Sequence, residues 1–289
     1  MRDLVGRPEL ISLNTATVRD RWRLPAIVEG CVRHGYGGIA PWRDQLQVSG
    51  LEAVARQIRD AGLRVTGLCR GGLLTAPSES ARQATIEDNL RAIDEAATLD
   101  AECLVMVVGG LPGGSRDLPG AWRQVEDGLG AILGHAAAAG VPIGVEPLHP
   151  MFAADRSCLN MLRHALDICA RLDPEPPAEP GKVRPIGVVI DTYHVWFDPD
   201  LENQVARAGD ENRILAYHVS DWRVPTRDML IDRAMMGDGA IDLRRIRGFV
   251  ERAGFDGLIE VEIFSKQDWW KRDPDEVLEV IRERFDTVV

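Results

Sequence analysis

Four residues able to hold a divalent cation each close a short, strand-like apolar run. Val141–Val145 leads into Glu146, Ile186–Ile190 into Asp191, Ile214–Tyr217 into His218, and Leu258–Val261 into Glu262. Two glutamates, an aspartate and a histidine, with no thiolate, form a borderline-hard ligand set. Such a set suits Mn2+, placed first, then Mg2+ or Co2+, and it also admits Zn2+. An ion held this way keeps positions open for substrate oxygens and stabilises negative charge developing on them. Side chains alternate between the two faces of a strand. Glu146 therefore shares a face with Gly144, Asp191 with Val189 and Gly187, and His218 with Ala216. Small residues below a ligand leave room for it to point inward. A single acid at a strand end is usually solvated or salt-bridged; four such residues at successive strand ends suggest convergence.

Convergence needs parallel neighbouring strands, and the chain carries that pattern. Apolar runs at 10–13, 38–40, 63–68, 103–108, 141–146, 186–191, 214–219 and 258–264 alternate with amphipathic stretches near 25–34, 50–61, 78–99, 118–139, 155–171, 199–209, 241–253 and 274–285. Strand alternating with helix implies parallel strands and crossover helices. Eight such units predict a (β/α)8 TIM barrel, an α/β fold of about 250 residues whose chemistry lies at the C-terminal ends of its strands. The expectation is one domain over residues 1–289. Ser49 followed three residues later by Glu52 reads as a capping box opening a helix that Gly62 ends. Asp242 and Asp273–Pro274 read as further helix starts.

The composition narrows the function. The 289 residues carry a net charge of -11, which disfavours nucleic acid as a partner. The five cysteines lie scattered, with no CxxC pair, and read as free thiols in a reducing compartment. The N-terminus lacks an apolar leader core, and no apolar run approaches the roughly 18 residues of a membrane span. The expectation is a cytoplasmic protein with no membrane partner. Two loops stand out. Asp173–Pro185 is proline-rich and reads as a solvated connector away from the chemistry. Asp221–Ala240 follows the His218 strand and so lies on the catalytic face, where long loops bind or cover substrate. The run Gly109–Gly114 lacks the ending of a phosphate-binding loop and reads as a flexible turn or a backbone approach to substrate.

The segments Gly144–Pro150, Ile190–His194, Ala216–Asp221 and Ile259–Phe264 resemble the xylose isomerase-like barrels, the group that contains the sugar phosphate isomerases and epimerases. The resemblance implies one divalent ion held by Glu146, Asp191, His218 and Glu262. Glu260 is the alternative last ligand. Glu262 is preferred because it stands nearer the strand end, and Glu260 then lies a layer deeper, where it must be paired or protonated. The resemblance also implies that Glu146 and Glu262 act as acid and base on a sugar or keto-sugar, through proton abstraction beside a carbonyl and an enediolate. His194, three residues after Asp191, matches a substrate-binding histidine of related epimerases. His149 reads as a proton shuttle or a turn cap. Arg223 reads as an oxyanion contact or an exposed loop arginine. Trp222, with Trp42, Trp269 and Trp270, reads as a sugar-stacking aromatic or part of a subunit interface, and a homodimer is common among relatives.

The alternative is a metal-dependent lyase of the same group, such as an inosose or 3-dehydroshikimate dehydratase or an enzyme that eliminates from oxidised glycosides. It begins with the same proton abstraction. The apurinic endonuclease branch would need further histidines and a basic surface. His34, His135 and His164 fall instead in helical stretches.

Overall fold

The structure, a computed structural model, describes residues 1–175 and 183–289. Its strands are β1 Ile11–Asn14, β2 Gly38–Ala40, β3 Arg64–Val65, β4 Leu68–Gly72, β5 Leu104–Val107, β6 Ile143–Val145, β7 Ile186–Asp191, β8 Ile214–Val219, β9 Asp221–Trp222, β10 Arg233–Ala234 and β11 Ile259–Val261. The main sheet runs β3-β2-β1-β11-β8-β7-β6-β5-β4. Every neighbouring pair within it is parallel. β3 and β4 are two halves of one stave, interrupted at Thr66–Gly67. The lower half pairs with β2 and bridges to Ala101, and the upper half pairs with β5 and bridges from Cys69 to Trp42. The interrupted stave therefore closes an eight-stave barrel, and the (β/α)8 expectation holds.

The helices are α1 Leu24–Arg33, α2 Arg43–Ser49, α3 Leu51–Asp60, α4 Glu79–Thr98, α5 Leu118–Ala139, α6 Leu162–Leu172, α7 Thr192–Val195, α8 Leu201–Asp210, α9 Leu243–Arg252 and α10 Pro274–Thr287. Their apolar stripes pack on the barrel wall. In α9 the buried Leu243, Ile246, Phe249 and Val250 share one face, and Asp242 caps the start by accepting from the Arg245 N–H. Asp273 caps α10 in the same way, ahead of Pro274.

Two local readings change. Ser49 does not cap a helix: it is the last residue of α2, and Gly50 at φ 85° forms the break before α3. Residues 155–161 are not helical. There the Gly109 N–H donates to the Arg156 carbonyl (3.1 Å) and the Cys158 N–H donates to the Gly109 carbonyl (2.8 Å), so tertiary hydrogen bonds replace helical ones. The connector Asp173–Pro185 lies in part outside the described residues. Among the described residues, no helix is long and apolar enough to cross a membrane. All five cysteines are free and buried, and burial pushes the Cys31 thiol up to about 12.

Inside the barrel, Cys69, Cys103, Val105, Val189 and Ala216 pack into an apolar plug. A Cβ on Gly144 would come within 2.8 Å of Val189 Cγ2, so that inward position must stay small. The upper end of β4 is held from outside by Asn89 of α4. Its amide oxygen accepts from the Gly72 N–H (2.6 Å), and its amide nitrogen donates to the Gly72 and Thr85 carbonyls (2.8 Å each). Asn89→Leu leaves these buried groups unpaired and is expected to destabilise the fold by about 2–4 kcal/mol, read as a lower urea midpoint. An unchanged midpoint would show that Asn89 does not hold the strand.

Candidate active site

Parallel pairing sets the height of each ligand in the barrel. Asp191 pairs in register with His218, and His218 with Glu260, while Glu146 and Glu262 each follow the last residue of their strand. One oxygen or nitrogen from each of Glu146, Asp191, His218 and Glu262 lies within 4.8 Å of the others, and all four residues are buried. His218 Nδ1 is 3.3 Å from Glu146 Oε1 and 3.9 Å from Glu262 Oε2. Neither His218 Nδ1 nor Glu146 Oε1 has a hydrogen-bond partner. Two orphaned, buried donor atoms facing each other fit a divalent ion, and the oxygen-rich set agrees with that class.

A second polar layer lies below. Asn14 Nδ2 donates to Glu260 Oε1 (2.8 Å) and to Glu262 Oε1 (3.0 Å), and Thr66 Oγ1 donates to Glu260 Oε2 (2.8 Å). His218 Nε2 is 3.4 Å from Glu260 Oε1. Glu260 is thus paired on both oxygens, one layer deeper than Glu262. It faces the far side of the imidazole from the ligand cluster. A ring that ligates through Nδ1 keeps its proton on Nε2, the nitrogen that Glu260 faces.

Arg233, at the start of β10, was not singled out in the sequence. Its Nη1 donates to Asp191 Oδ2 (2.8 Å) and Glu262 Oε2 (3.1 Å), and its guanidinium lies over the Tyr193 ring (4.5 Å). Its backbone N–H donates to the Phe264 carbonyl (2.8 Å). The loop that carries it is organised by Asp221. The two Asp221 carboxylate oxygens accept four backbone N–H bonds, from Trp222, Gly237, Gly239 and Ile241. The sequence signal for Arg233 was an arginine directly before Ala234–Met235–Met236, an apolar run that takes the chain into the core on the catalytic face. A buried arginine there requires carboxylate partners.

These charges set the protonation states. Burial alone would depress His218, but Glu260, Glu146 and Glu262 outweigh it and hold the ring up at about 10. Burial also raises Glu262, with Arg233 opposing and Glu146 adding to the rise. Asp191 stays below its ordinary value: Arg233, His194 and His218 overcome its burial. Burial drives His194 down to about 3, so that ring is neutral at pH 7. His194 Nδ1 faces the His149 N–H (3.3 Å) and Nε2 faces Arg233 Nη2 (3.1 Å). A neutral imidazole accepts at one nitrogen only, so one of these contacts yields to the other.

A cavity, partly open to solvent, lies over the cluster, and Trp42, Arg70, Glu146, His194, Arg233 and Glu262 are among its lining residues. His149, Trp222 and Arg223 are not among the lining residues. His149 and Trp222 join an aromatic stack beside the site, with ring centroids 4.9 Å apart, and Tyr193 stacks on Trp222 at 4.6 Å. His149 Nδ1 accepts from the Met151 N–H, as a turn cap does. Arg223 pairs with Asp232 and Asp268 at 3.2 Å each. Of the remaining tryptophans, Trp42 lines the cavity, and Trp270 packs on Phe264 beside it.

The family model described as xylose isomerase-like TIM barrel matches residues 28–284. The chain belongs to this family. It is similar to protein SMc04130 from Sinorhizobium meliloti 1021, whose crystal structure matches with a TM-score of 0.92 at 54% identity over 98% of this chain and 99% of that one. The crystal structure of IOLI protein with a bound zinc atom matches at 20% identity, TM-score 0.78, over 96% of this chain and 97% of that one, a likeness of fold. Inosose isomerase from Bacillus velezensis is 28% identical over 111 residues, which is 36% of this chain and 37% of that protein. The match therefore spans little more than a third of the curated relative.

If Nδ1 of His218 takes an ion at pH 7, the ring must lose a proton, and the raised Glu262 gives up a further fraction. Both groups hold protons below their metal-free pKa values, so lowering the pH opposes binding. Uptake of Mn2+ is expected to release about one proton or more per ion and to strengthen roughly tenfold per pH unit near neutrality. Calorimetry in buffers of different ionisation enthalpy measures this, and pH-independent uptake without proton release would contradict it.

Proposed function

We propose that this protein is a divalent-metal-dependent isomerase or epimerase acting on a sugar or keto-sugar. One observation carries the reading: Glu146, Asp191, His218 and Glu262 offer ligand atoms within 4.8 Å of one another, buried at the strand ends under a cavity. Family membership, and the partial match to an inosose isomerase, support the same class of chemistry.

Glu146 and Glu262 both line the cavity, and their strands β6 and β11 are separated by β7 and β8. Two carboxyl groups reaching one carbon from different sides can remove and return a proton. One carboxylate takes the proton from the carbon beside the carbonyl. The C–H electron pair becomes the new C=C bond, and the carbonyl π pair moves to oxygen, giving an enediolate. The other carboxyl group returns a proton to the opposite face of the same carbon, which inverts it. Return to the neighbouring carbon, with the first carbon's hydroxyl proton passing to the enediolate oxygen as that carbon becomes the carbonyl, would give the aldose–ketose isomer. No electrons are gained or lost overall. A bound divalent ion, Mn2+ in the first instance, supplies positive charge that stabilises the enediolate. Arg233 and His194 line the same cavity and can orient substrate oxygens. Asn14 fixes Glu262 from below, and Glu260 faces His218 Nε2 at 3.4 Å.

The purified protein is expected to hold one divalent ion per chain by elemental analysis. A keto-sugar panel in deuterated water is expected to return an isomer labelled at the inverted carbon. Glu146→Gln and Glu262→Gln should each slow that exchange by about 10²–10⁴-fold. Unchanged turnover in both variants would remove the acid/base assignment. A dehydrated or cleaved product in place of a labelled isomer would make the enzyme a lyase.

A further inference from the structure

Most arginines around the barrel mouth have carboxylate partners. Arg19 pairs with Asp44, Arg43 with Asp88 and Glu95, Arg223 with Asp232 and Asp268, and Arg227 with Asp232. Arg233 pairs with Asp191 and Glu262. Arg70 and Arg156 differ. Both line the cavity over the acidic cluster, and both are partly buried. Among the described residues, neither guanidinium has a hydrogen-bond or salt-bridge partner; Arg156 only rests over the Phe152 ring at 5.9 Å. In a chain of net charge -11, two unpaired cations facing one cavity need an explanation.

The backbone holds them there. Arg70 sits where the β4–β5 register shifts between Cys69 and Gly71, a bulge that re-aims a strand side chain. Arg156 is held by the exchange between Gly109 and the 156–158 backbone. A Cβ on Gly110 would come within 2.5 Å of the Ala154 carbonyl oxygen, so the glycine run is what lets this loop approach. Burial and the like charge of Arg156 both lower the pKa of Arg70, with Cys69 and Glu146 opposing, so the pair carries mutual repulsion that an anion would relieve.

We infer that Arg70 and Arg156 form an anion subsite, and that the substrate is a monosaccharide-sized carbonyl compound bearing one oxyanion group, a carboxylate or a phosphate. The inference rests on the proposed sugar chemistry for the rest of the substrate. Guanidinium groups recognise both oxyanions by paired N–H···O bonds. The carbonyl end would lie over Glu146 and Glu262, and the anionic end toward Arg70 and Arg156.

The test is equilibrium binding to the Mn2+-loaded full chain of three matched probes: D-fructose, D-fructose 6-phosphate and D-fructuronate. At least one anionic probe is expected to bind ten times more tightly than D-fructose, and the preferred one identifies phosphate or carboxylate. Arg70→Gln and Arg156→Gln should each weaken that probe about 10- to 100-fold, and the Lys substitutions should recover part of the loss. Thermal midpoints of the variants check that they fold. Equal affinities for all three probes, no binding at all, or an anion preference that survives both Gln substitutions would overturn the subsite. Solvent-deuterium exchange separates this from the parent reading. Arginine-dependent anion binding without exchange into any sugar keeps the subsite and removes the acid/base chemistry. Exchange into D-fructose as fast as into the anionic pair keeps the chemistry and removes the subsite.

Discussion

The barrel mouth depends on one electrostatic constraint. Four carboxylates, Glu146, Asp191, Glu260 and Glu262, are buried around a single imidazole. Carboxylates taken out of water are stable only when paired or protonated. Each has its own solution here. Glu260 takes hydrogen bonds from Asn14 and Thr66, Asp191 takes Arg233, Glu262 shares both Asn14 and Arg233, and Glu146 faces His218. Much of the surrounding architecture follows from supplying these partners. β1 brings Asn14, the interrupted stave brings Thr66, and the hairpin β9–β10 brings Arg233.

The pairing also explains why two glutamates on one face of β11 have different fates. Glu260 and Glu262 are two residues apart, so both point into the barrel. At the level of Glu260 three polar neighbours close around it. At the level of Glu262 the barrel opens into the cavity, and one neighbour is Arg233, which arrives from the short β9–β10 hairpin rather than from a barrel strand. Depth in the barrel, not residue type, separates a supporting carboxylate from one that can meet a ligand.

The strands were legible because parallel barrels write them plainly: apolar runs, helical stripes between them, and polar residues where the runs stop. Glu146, Asp191, His218 and Glu262 could be read because each sits at such a stop. The interruption at Thr66–Gly67 was not legible, since 63–68 reads as one apolar run. Residues 155–161 read as helix because their composition permits it, yet Gly109 captures that backbone by tertiary hydrogen bonds. Arg70, Arg156 and Arg233 were also missed, for a related reason. Each is placed by irregular backbone, at a bulge, a loop docked on glycine, or a two-residue strand. Periodicity carries no information about where such residues point. His149 and Trp222 lie on the expected face, but ring stacking turns them toward each other rather than into the cavity.

Arg233 has a further consequence for how the site can exist before it holds an ion. Three acids drawn with a histidine to within 4.8 Å would repel one another if nothing offset their charge. Raised pKa values for His218 and Glu262 offset part of it, by keeping protons in the cluster. Arg233 offsets more, and its guanidinium is charged at any pH the fold survives. It is tethered by its backbone to Phe264 and by the Asp221-ordered loop, so it is delivered by folding rather than by capture from solvent. On the proposed reading, a site built this way would have part of its charge balanced before any ion binds. It could then exchange protons, and part of the arginine's grip on Asp191 and Glu262, for an ion afterwards. Folding and loading would then be separate events, joined through the oxygens that both cations seek.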